Sequence, residues 1–328
     1  MEETIGFSIN LYVMMDTIHI ACSTDDNYAA LCGIMLCSLM ENNKNNKLHI
    51  HILGNDLSED NRKKLSNQAC NYGVPCTFHS VDESKLNNCQ YRTKVHKLSK
   101  AAYYRILLAS TLTEVERVIY LDCDMVILKD LSDVYNENID GFGVAAVRDY
   151  DMLKIPDHYN QIGLNNEDYY FNSGFMLINL NYWRKHDSES ALVSFATKPR
   201  HVYFHDQDAL NFVFKRNWKI LEPKWNRYNI FNINVDNLFD NIDSMNAFFD
   251  NPCVIHYPGR YFKPWFRTWF IPYKHEWQYY KSLSEWGDFA YKKNERTTYA
   301  ITKRFVTDLK HIIYRIKYYA HWNKRLRR

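Results

Sequence analysis

The sequence predicts an α/β protein with a mostly parallel sheet. Three observations carry this. Short apolar runs rich in β-branched residues alternate with longer stretches of helical periodicity over about a hundred residues. Turn and capping residues punctuate the joins. Acidic residues stand at the ends of the runs, where ligands of open parallel sheets bind.

From the N-terminal end, "TIHIACS" (17–23) reads as a buried strand. "DDNYAALCGIMLCSLMEN" comes next as a helix, capped by Asp25 or Asp26. "KLHIHILG" (47–54) is a second strand closed by glycine. A polar helix starts at Ser58 and stops at Gly73. "VPCTFHS" is a third strand, "SKAAYYRILLAS" (99–110) a helix and "ERVIYLD" (116–122) a fourth strand. Alternation of this kind places helices on both faces of the sheet. "GFGVAAVRD" (141–149) is a further strand ending in an acid. "YYFNSGFMLINL" (169–180) reads as a strand pair, or a strand with a tight turn at Asn172–Gly174. "DQDALNFVF" (206–214) starts a helix, and "NPCVIHYPG" (251–259) is a strand running into His256. Beyond about residue 270 the chain becomes aromatic and basic, so the expected organisation is 17–270 as one domain and 271–328 as a helical extension.

Composition narrows the class. A hydrophobic content of 46% supports a sizeable core, and mixed charge with little Gly or Pro excludes broad disorder. The eight cysteines form no CxxC pair, which predicts free thiols in a reducing compartment. No basic segment precedes the apolar "INLYVMM", and no run approaches the roughly 20 apolar residues of a membrane span, so a cytoplasmic protein is expected. The net charge of +3 is unevenly spread. Residues 292–328 carry twelve Lys/Arg against two Asp/Glu, a net +10, which leaves −7 on the rest. An acidic body with a basic tail predicts that the tail meets an anionic surface.

The chemistry centres on "RVIYLDCDMVILKD". A buried strand drives two mutually repelling carboxylates, Asp122 and Asp124, into one turn. Such a pair suits Mg²⁺ or Mn²⁺, which takes carboxylate oxygens and keeps positions open for substrate phosphates. A solvated turn gives the same letters. So does the nucleophile motif of dehalogenase-type phosphatases, although that motif normally opens its domain. His256 offers a nitrogen ligand, or a structural turn cap. Asp206 and Asp208 flank Gln207 at a helix start, where acids also simply favour the macrodipole. Arg105 lies in an apolar helix as a buried paired residue or a ligand clamp.

Six segments converge in order and spacing: "DDNYAA", "AAYYRILLA", "RVIYLDCDMVILKDL", "YYFNSGFMLINLNYWRKHD", "HDQDALN" and "HYPG…KPW". Together, over about residues 17–266, they resemble family 8 of the glycosyltransferases, most closely the bacterial lipopolysaccharide and lipooligosaccharide galactosyl- and glucosyltransferases, with glycogenin more distant. The resemblance implies a GT-A-type nucleotide-sugar fold and a retaining, Mn²⁺-dependent hexosyltransferase, with Mg²⁺ as the alternative ion. It implies Asp122, Asp124 and His256 as metal ligands. It places Asp25, Asn27 and Tyr28 at uracil and ribose, Cys123 near the ribose through its backbone, and Gly259 and Lys263 at the diphosphate. Arg105, Asp149, Asn172, Asp206 and Gln207 fall around the donor sugar. The expected partners are UDP-galactose or UDP-glucose and a glycan or glycolipid acceptor. One departure stands out. The usual HxxGxxKPW is here HxxGxxxKPW, with Arg260, Tyr261 and Phe262 before Lys263. A catalytically dead glycan- or membrane-binding module is the non-enzyme alternative.

In the tail, Ile301, Phe305, Leu309, Ile312 and Ile316 recur at three and four, while Lys303, Arg304, Lys310, Arg315 and Lys317 lie mostly elsewhere around the helix. This composition predicts an interfacial helix on the anionic cytoplasmic membrane face, rather than a nucleic-acid site.

Overall fold

A computed structural model describes residues 16–89, 99–150, 152, 155–165, 168–197, 204–228, 242–259, 263–267 and 271–292, with positions 306, 309, 313 and 316. The first half alternates as the sequence predicts: β1 (Ile18–Ser23), α1 (Ala29–Glu41), β2 (Leu48–Leu53), α2 (Glu59–Asn71) and β3 (Cys76–His79). A 3₁₀ helix (Lys100–Leu107) and a single α turn, α3 (Leu108–Thr111), lead into β4 (Arg117–Leu121) and β5 (Met125–Ile127). Then come α4 (Ser132–Tyr135), β6 (Val144–Arg148), α5 (Pro156–Ile162), β7 (Phe171–Asn179), α6 (Leu180–Lys185), α7 (Ser188–Thr197) and α8 (Asp206–Phe214). The last elements are β8 (Trp218–Ile220), α9 (Ile242–Asp250), β9 (Val254–His256) and α10 (Lys274–Leu283).

Among the described residues, seven strands form one sheet in the order β3-β2-β1-β4-β7-β6-β8. β1 pairs in parallel with β2 and β4, β2 with β3, and β6 with β8. Only β7 runs against its neighbours, β4 and β6. The sheet is therefore mixed and mostly parallel. Alternation along each strand splits the core in two. Ile18, Ile20 and Cys22 face the layer of α1, whereas Ala21 and Leu53 face the layer of the 3₁₀ helix and α6–α8. β5 and β9 make a separate antiparallel pair.

α1 is apolar nearly all round because it is covered on both sides. Its outer side meets the chain after residue 271. A Cβ on Gly33 would lie 1.9 Å from Trp286, Asn42 Nδ2 donates to Tyr280 Oη at 2.7 Å, and Trp277 belongs to the same core.

Three details differ from expectation. Residues 169–180 hold no hairpin and no tight turn. β7 is one continuous strand, and the Asn-Ser-Gly signal instead faces an irregularity in the β6–β7 register between Ala146 and Arg148. Residues 100–107 wind as 3₁₀ rather than α; there Arg105 Nε donates to the Ala102 carbonyl at 2.9 Å, a side-chain bond that competes with the regular ladder. Neither Asp25 nor Asp26 is the N-cap of α1. Asp25 accepts from the Tyr28 amide at 3.1 Å, and Asp26 accepts from Ser58 N and Asn61 Nδ2.

The eight cysteines are free thiols, six of them buried. Among the described residues no helix is long and apolar enough to cross a membrane.

Candidate active site

The site begins where β4 ends. Asp122 comes directly after Leu121, the last residue of the strand, and its amide donates to Gly174 O on β7 at 2.9 Å. Asp124 lies two residues on, just before β5. Antiparallel pairing then sets His256 opposite Met125, and Tyr257 N donates to Asp124 O at 2.9 Å. A strand from near residue 255 thus delivers an imidazole to the two carboxylates. His256 Nε2 is 3.2 Å from Asp124 Oδ1 and 3.9 Å from Asp122 Oδ2.

The tautomer of His256 is set by its neighbours. Asn226 Nδ2 donates to Asn172 Oδ1 at 2.9 Å, so Asn226 Oδ1 is left to accept from His256 Nδ1 at 3.0 Å. With the proton on Nδ1, the neutral ring turns its Nε2 lone pair toward the carboxylates. Three electron-rich atoms of Asp122, Asp124 and His256 then lie within 4.8 Å of one another, a donor set that suits a divalent cation. Gly174 forms the floor. A Cβ there would meet His256 Cε1 at 2.4 Å and Asp122 Oδ2 at 2.9 Å, so only glycine leaves room. Mn²⁺ or Mg²⁺ fits this set, and Asp122, Asp124 and His256 are the residues that would hold it.

Two cations balance the carboxylates. Lys263 Nζ reaches Asp124 Oδ2 and the Tyr257 carbonyl, both at 2.5 Å, despite the extra residue in its motif. Burial alone would raise the Asp124 carboxyl, but the Lys263 ammonium, joined by His256 when that ring is protonated, outweighs it and holds it well below the usual range. Arg105 bridges Asp122 (Nη2–Oδ1, 2.8 Å) and Asp206 (Nε–Oδ2, 3.0 Å), with its guanidinium over the Tyr120 ring and Nη1 on Ser173 O. Burial lowers the guanidinium, but the two carboxylates reverse that and keep it charged. Asp206 behaves differently. Burial pushes it up to about 6, against the pull of Arg105.

A second network adjoins the first. Gln207 Oε1 accepts from Ser173 N at 2.9 Å, and its Nε2 donates to Asp149 Oδ2 at 3.1 Å. Asn172 Nδ2 donates to the same oxygen at 3.1 Å, and Tyr228 Oη to Asp149 Oδ1 at 3.2 Å. Asp149, Asn172, Asp206, Gln207 and Arg105 therefore meet as one constellation beside Asp122, Asp124 and His256.

The remaining predicted residues lie in the turns that follow β1, β4 and β9. Asp25 accepts from Ser99 Oγ at 2.7 Å, which ties the loop after β1 to the 3₁₀ helix carrying Arg105. Asn27 and Tyr28 are exposed in that loop. Cys123 is buried, with Sγ donating to Ser23 O at 3.3 Å. Gly259 sits at φ +78° with open space where a Cβ would be, so backbone conformation is what calls for glycine there. Arg260 lies outside the described residues. Sequence reasoning missed Asn226, Tyr228, Ser173 and the packing role of Gly174. The first two come from a stretch with no motif, and only the neighbourhood in space exposes them.

Residues 19–269 match the family described as "Glycosyl transferase family 8". The chain is 30% identical over 283 residues to General stress protein A of Bacillus subtilis (strain 168), covering 83% of this chain and 96% of that protein. It is 29% identical over 322 residues to a lipopolysaccharide 1,2-glucosyltransferase of Escherichia coli, covering 92% and 88%. The solved galactosyltransferase LgtC, in complex with donor and acceptor sugar analogs, superposes with a TM-score of 0.70 over 82% of this chain and 96% of that one. At 22% identity that likeness shows a shared fold.

Proposed function

The chain belongs to glycosyltransferase family 8, and on that premise we propose that it transfers a hexose, galactose or glucose, from UDP to a membrane-associated glycan such as a lipopolysaccharide core, with retention of configuration. The observation that carries this is the convergence of Asp122, Asp124 and His256 beyond the end of β4, over a glycine floor and beside a network of sugar-sized polar groups.

Asp25, Asn27 and Tyr28 hold uracil and ribose, with Tyr28 42% exposed and ready to stack. Cys123 lines the ribose side through its backbone. Gly259 brings main chain to the diphosphate, and Lys263 balances the charge that grows there as the sugar–phosphate bond breaks. A bound Mn²⁺, or Mg²⁺ in its place, supplies Lewis-acid stabilisation of that same charge. Arg105 fixes Asp122 and Asp206 in one orientation, and Asp149 and Asn172 bind sugar hydroxyls.

Gln207 is a carboxamide with both ends engaged, which makes it a poor nucleophile. This supports same-face attack, in which the departing phosphate oxygen takes the acceptor's proton. Asp206 and Gln207 then stabilise the positive charge developing on the sugar. A double displacement would need a carboxylate beneath the anomeric carbon.

The enzyme is assigned to the cytoplasmic membrane face. Val306, Leu309, Ile313 and Ile316 are helical and 43–65% exposed, an apolar stripe flanked in sequence by Lys and Arg. Leu309 and Ile316 belong to the predicted stripe, and Ile301, Phe305 and Ile312 lie outside the described residues. Of the extension expected at 271–328, the part through residue 292 packs on α1 and α2, so the membrane-facing role is assigned to residues 293–328.

The test is UDP release from UDP-galactose, UDP-glucose and UDP-N-acetylglucosamine with Mn²⁺, Mg²⁺ or EDTA, with Asp124→Ala alongside. Metal-dependent release from one hexose donor, absent in the variant, is expected. Binding of UDP without turnover, even with lipid-linked glycan present, would make the protein a binding module. No UDP binding at all would overturn the reading.

A further inference from the structure

On the far part of the sheet, four of the thirteen histidines share one face. His19 on β1 lies in register with His49 on β2, and His51 is two residues on. His79 on β3 lies two residues past Thr77, the register partner of His51. All four point away from the α1 layer, as Ala21 and Leu53 do. His19 stands at the second residue of β1, four residues or about 13 Å before the strand end that faces the catalytic crevice.

Their spacing is that of a site. His19 Nδ1 is 2.9 Å from His51 Nε2, and His51 Nδ1 is 3.0 Å from His79 Nε2. The rings of His49 and His51 stack with centroids 4.2 Å apart. Each of His19, His49 and His51 offers a ring nitrogen, and the three lie within 4.8 Å of one another. Among the described residues no carboxylate pairs with any of the four. Burial lowers all four, and neighbouring rings add to it for His19, His51 and His79, His51 going down to about 3, so the imidazoles are neutral and keep their lone pairs.

We propose that His19, His49 and His51 form a second metal site, for a borderline-soft divalent ion of the Zn²⁺ class, separate from the carboxylate-rich catalytic site. Imidazole nitrogens suit Zn²⁺, whereas Mn²⁺ and Mg²⁺ prefer oxygens. Tetrahedral Zn–N bonds of about 2.0–2.1 Å separate ligand nitrogens by about 3.3–3.5 Å. The ring nitrogens here are 2.9 Å apart for His19 and His51 and all within 4.8 Å of one another, so small rotations suffice. The outer partners are in place. His51 uses Nε2 toward the ion and donates Nδ1–H to His79, while Thr77 Oγ1 holds His49 Nε2 at 2.9 Å. His19 and His49 are only half-buried, which leaves a route from solvent and a fourth position for water.

The decisive measurement is calorimetric titration of the metal-stripped full chain with Zn²⁺, in an Asp124→Ala background that disables the catalytic ligands. One equivalent should bind with a dissociation constant of about 1 µM or tighter. Co²⁺ should give the intense visible bands of a tetrahedral nitrogen site. Adding His49→Gln or, separately, His19→Gln should weaken Zn²⁺ binding by at least about 100-fold, and His79→Gln by about 10- to 100-fold. His49→Gln alone should leave Mn²⁺-dependent UDP release unchanged. No Zn²⁺ binding in the Asp124→Ala protein, or binding untouched by both ligand variants, overturns the site. Because the readout is binding, this outcome is independent of whether the transferase reading holds.

Discussion

Asn226 acts through His256, and its effect is specific. It is buried, it accepts from Nδ1, and it donates onward to Asn172. Asn226→Leu keeps the bulk but removes the acceptor, so the ring loses what fixes its tautomer. Mn²⁺ affinity should then fall by about 10- to 100-fold, as for other outer-shell partners of metal-binding histidines. Mn²⁺ titration of UDP release, or electron paramagnetic resonance of free Mn²⁺, reads this directly. An unchanged affinity would leave Asn226 as packing alone. Asp206 gives a prediction in pH. Its folded pKa of about 6 lies above its ordinary 3.8, so the folded chain takes up a proton between those values. Its stabilising effect is complete at the acidic end and lost as pH rises through about 6. Asp206→Asn removes that dependence. In EDTA, the stability of the variant relative to wild type should improve by up to about 3 kcal/mol between pH 4 and 7. Urea unfolding across that range checks it, and a constant gap would mean that Asp206 is already ionised at the acidic end. Asp124 does not interfere, because the same carboxyl is present in both proteins and its contribution cancels in the difference.

At the scale of elements, the contact of α1 with the chain after residue 271 is close enough to test with one methyl group. Gly33 lies in the middle of a helix, where glycine costs about 1 kcal/mol relative to alanine. On propensity alone, Gly33→Ala should stabilise. The Trp286 ring stands 1.9 Å from where that Cβ would be, so overpacking wins and the variant should lose about 1–3 kcal/mol. In Trp286→Ala the same change should be neutral or stabilising, and thermal unfolding of the four proteins shows which sign holds. This contact also marks what the sequence could tell. The β-α alternation through β4 was legible because each strand is a short apolar run and each helix has its own period and stops. Asp122, Asp124 and His256 were legible because motif spacing survives without knowledge of the fold. β7 was not, because Asn-Ser-Gly spells a turn locally while two neighbouring strands impose extension. Asn226 and Tyr228 carry no local pattern, and "LHIHIL" reads as a strand without disclosing that its histidines share one face with those of β1 and β3.

Over the whole chain, charge is divided unevenly along the sequence. Residues before 292 carry −7 and the last 37 residues +10, and the basic stretch of sequence is also the one that holds the exposed Leu309 and Ile316. Neither feature alone is enough for membrane binding. Exposed apolar side chains gain by burial at an interface, and each Lys or Arg near an anionic surface adds about 1 kcal/mol. Together they predict binding to vesicles containing phosphatidylglycerol and little binding to pure phosphatidylcholine. Raising salt from about 0.1 M to 1 M shortens the screening length from about 10 Å to 3 Å and should release most of the protein. Leu309→Glu with Ile316→Glu should weaken association at least about tenfold at low salt, while UDP release from soluble donor stays unchanged, because neither residue is part of the crevice. Cosedimentation of the full chain with each vesicle type measures both effects. Equal binding to neutral and anionic vesicles, or full binding by the double variant, would assign the stripe to another protein surface and leave the basic tail without a membrane role.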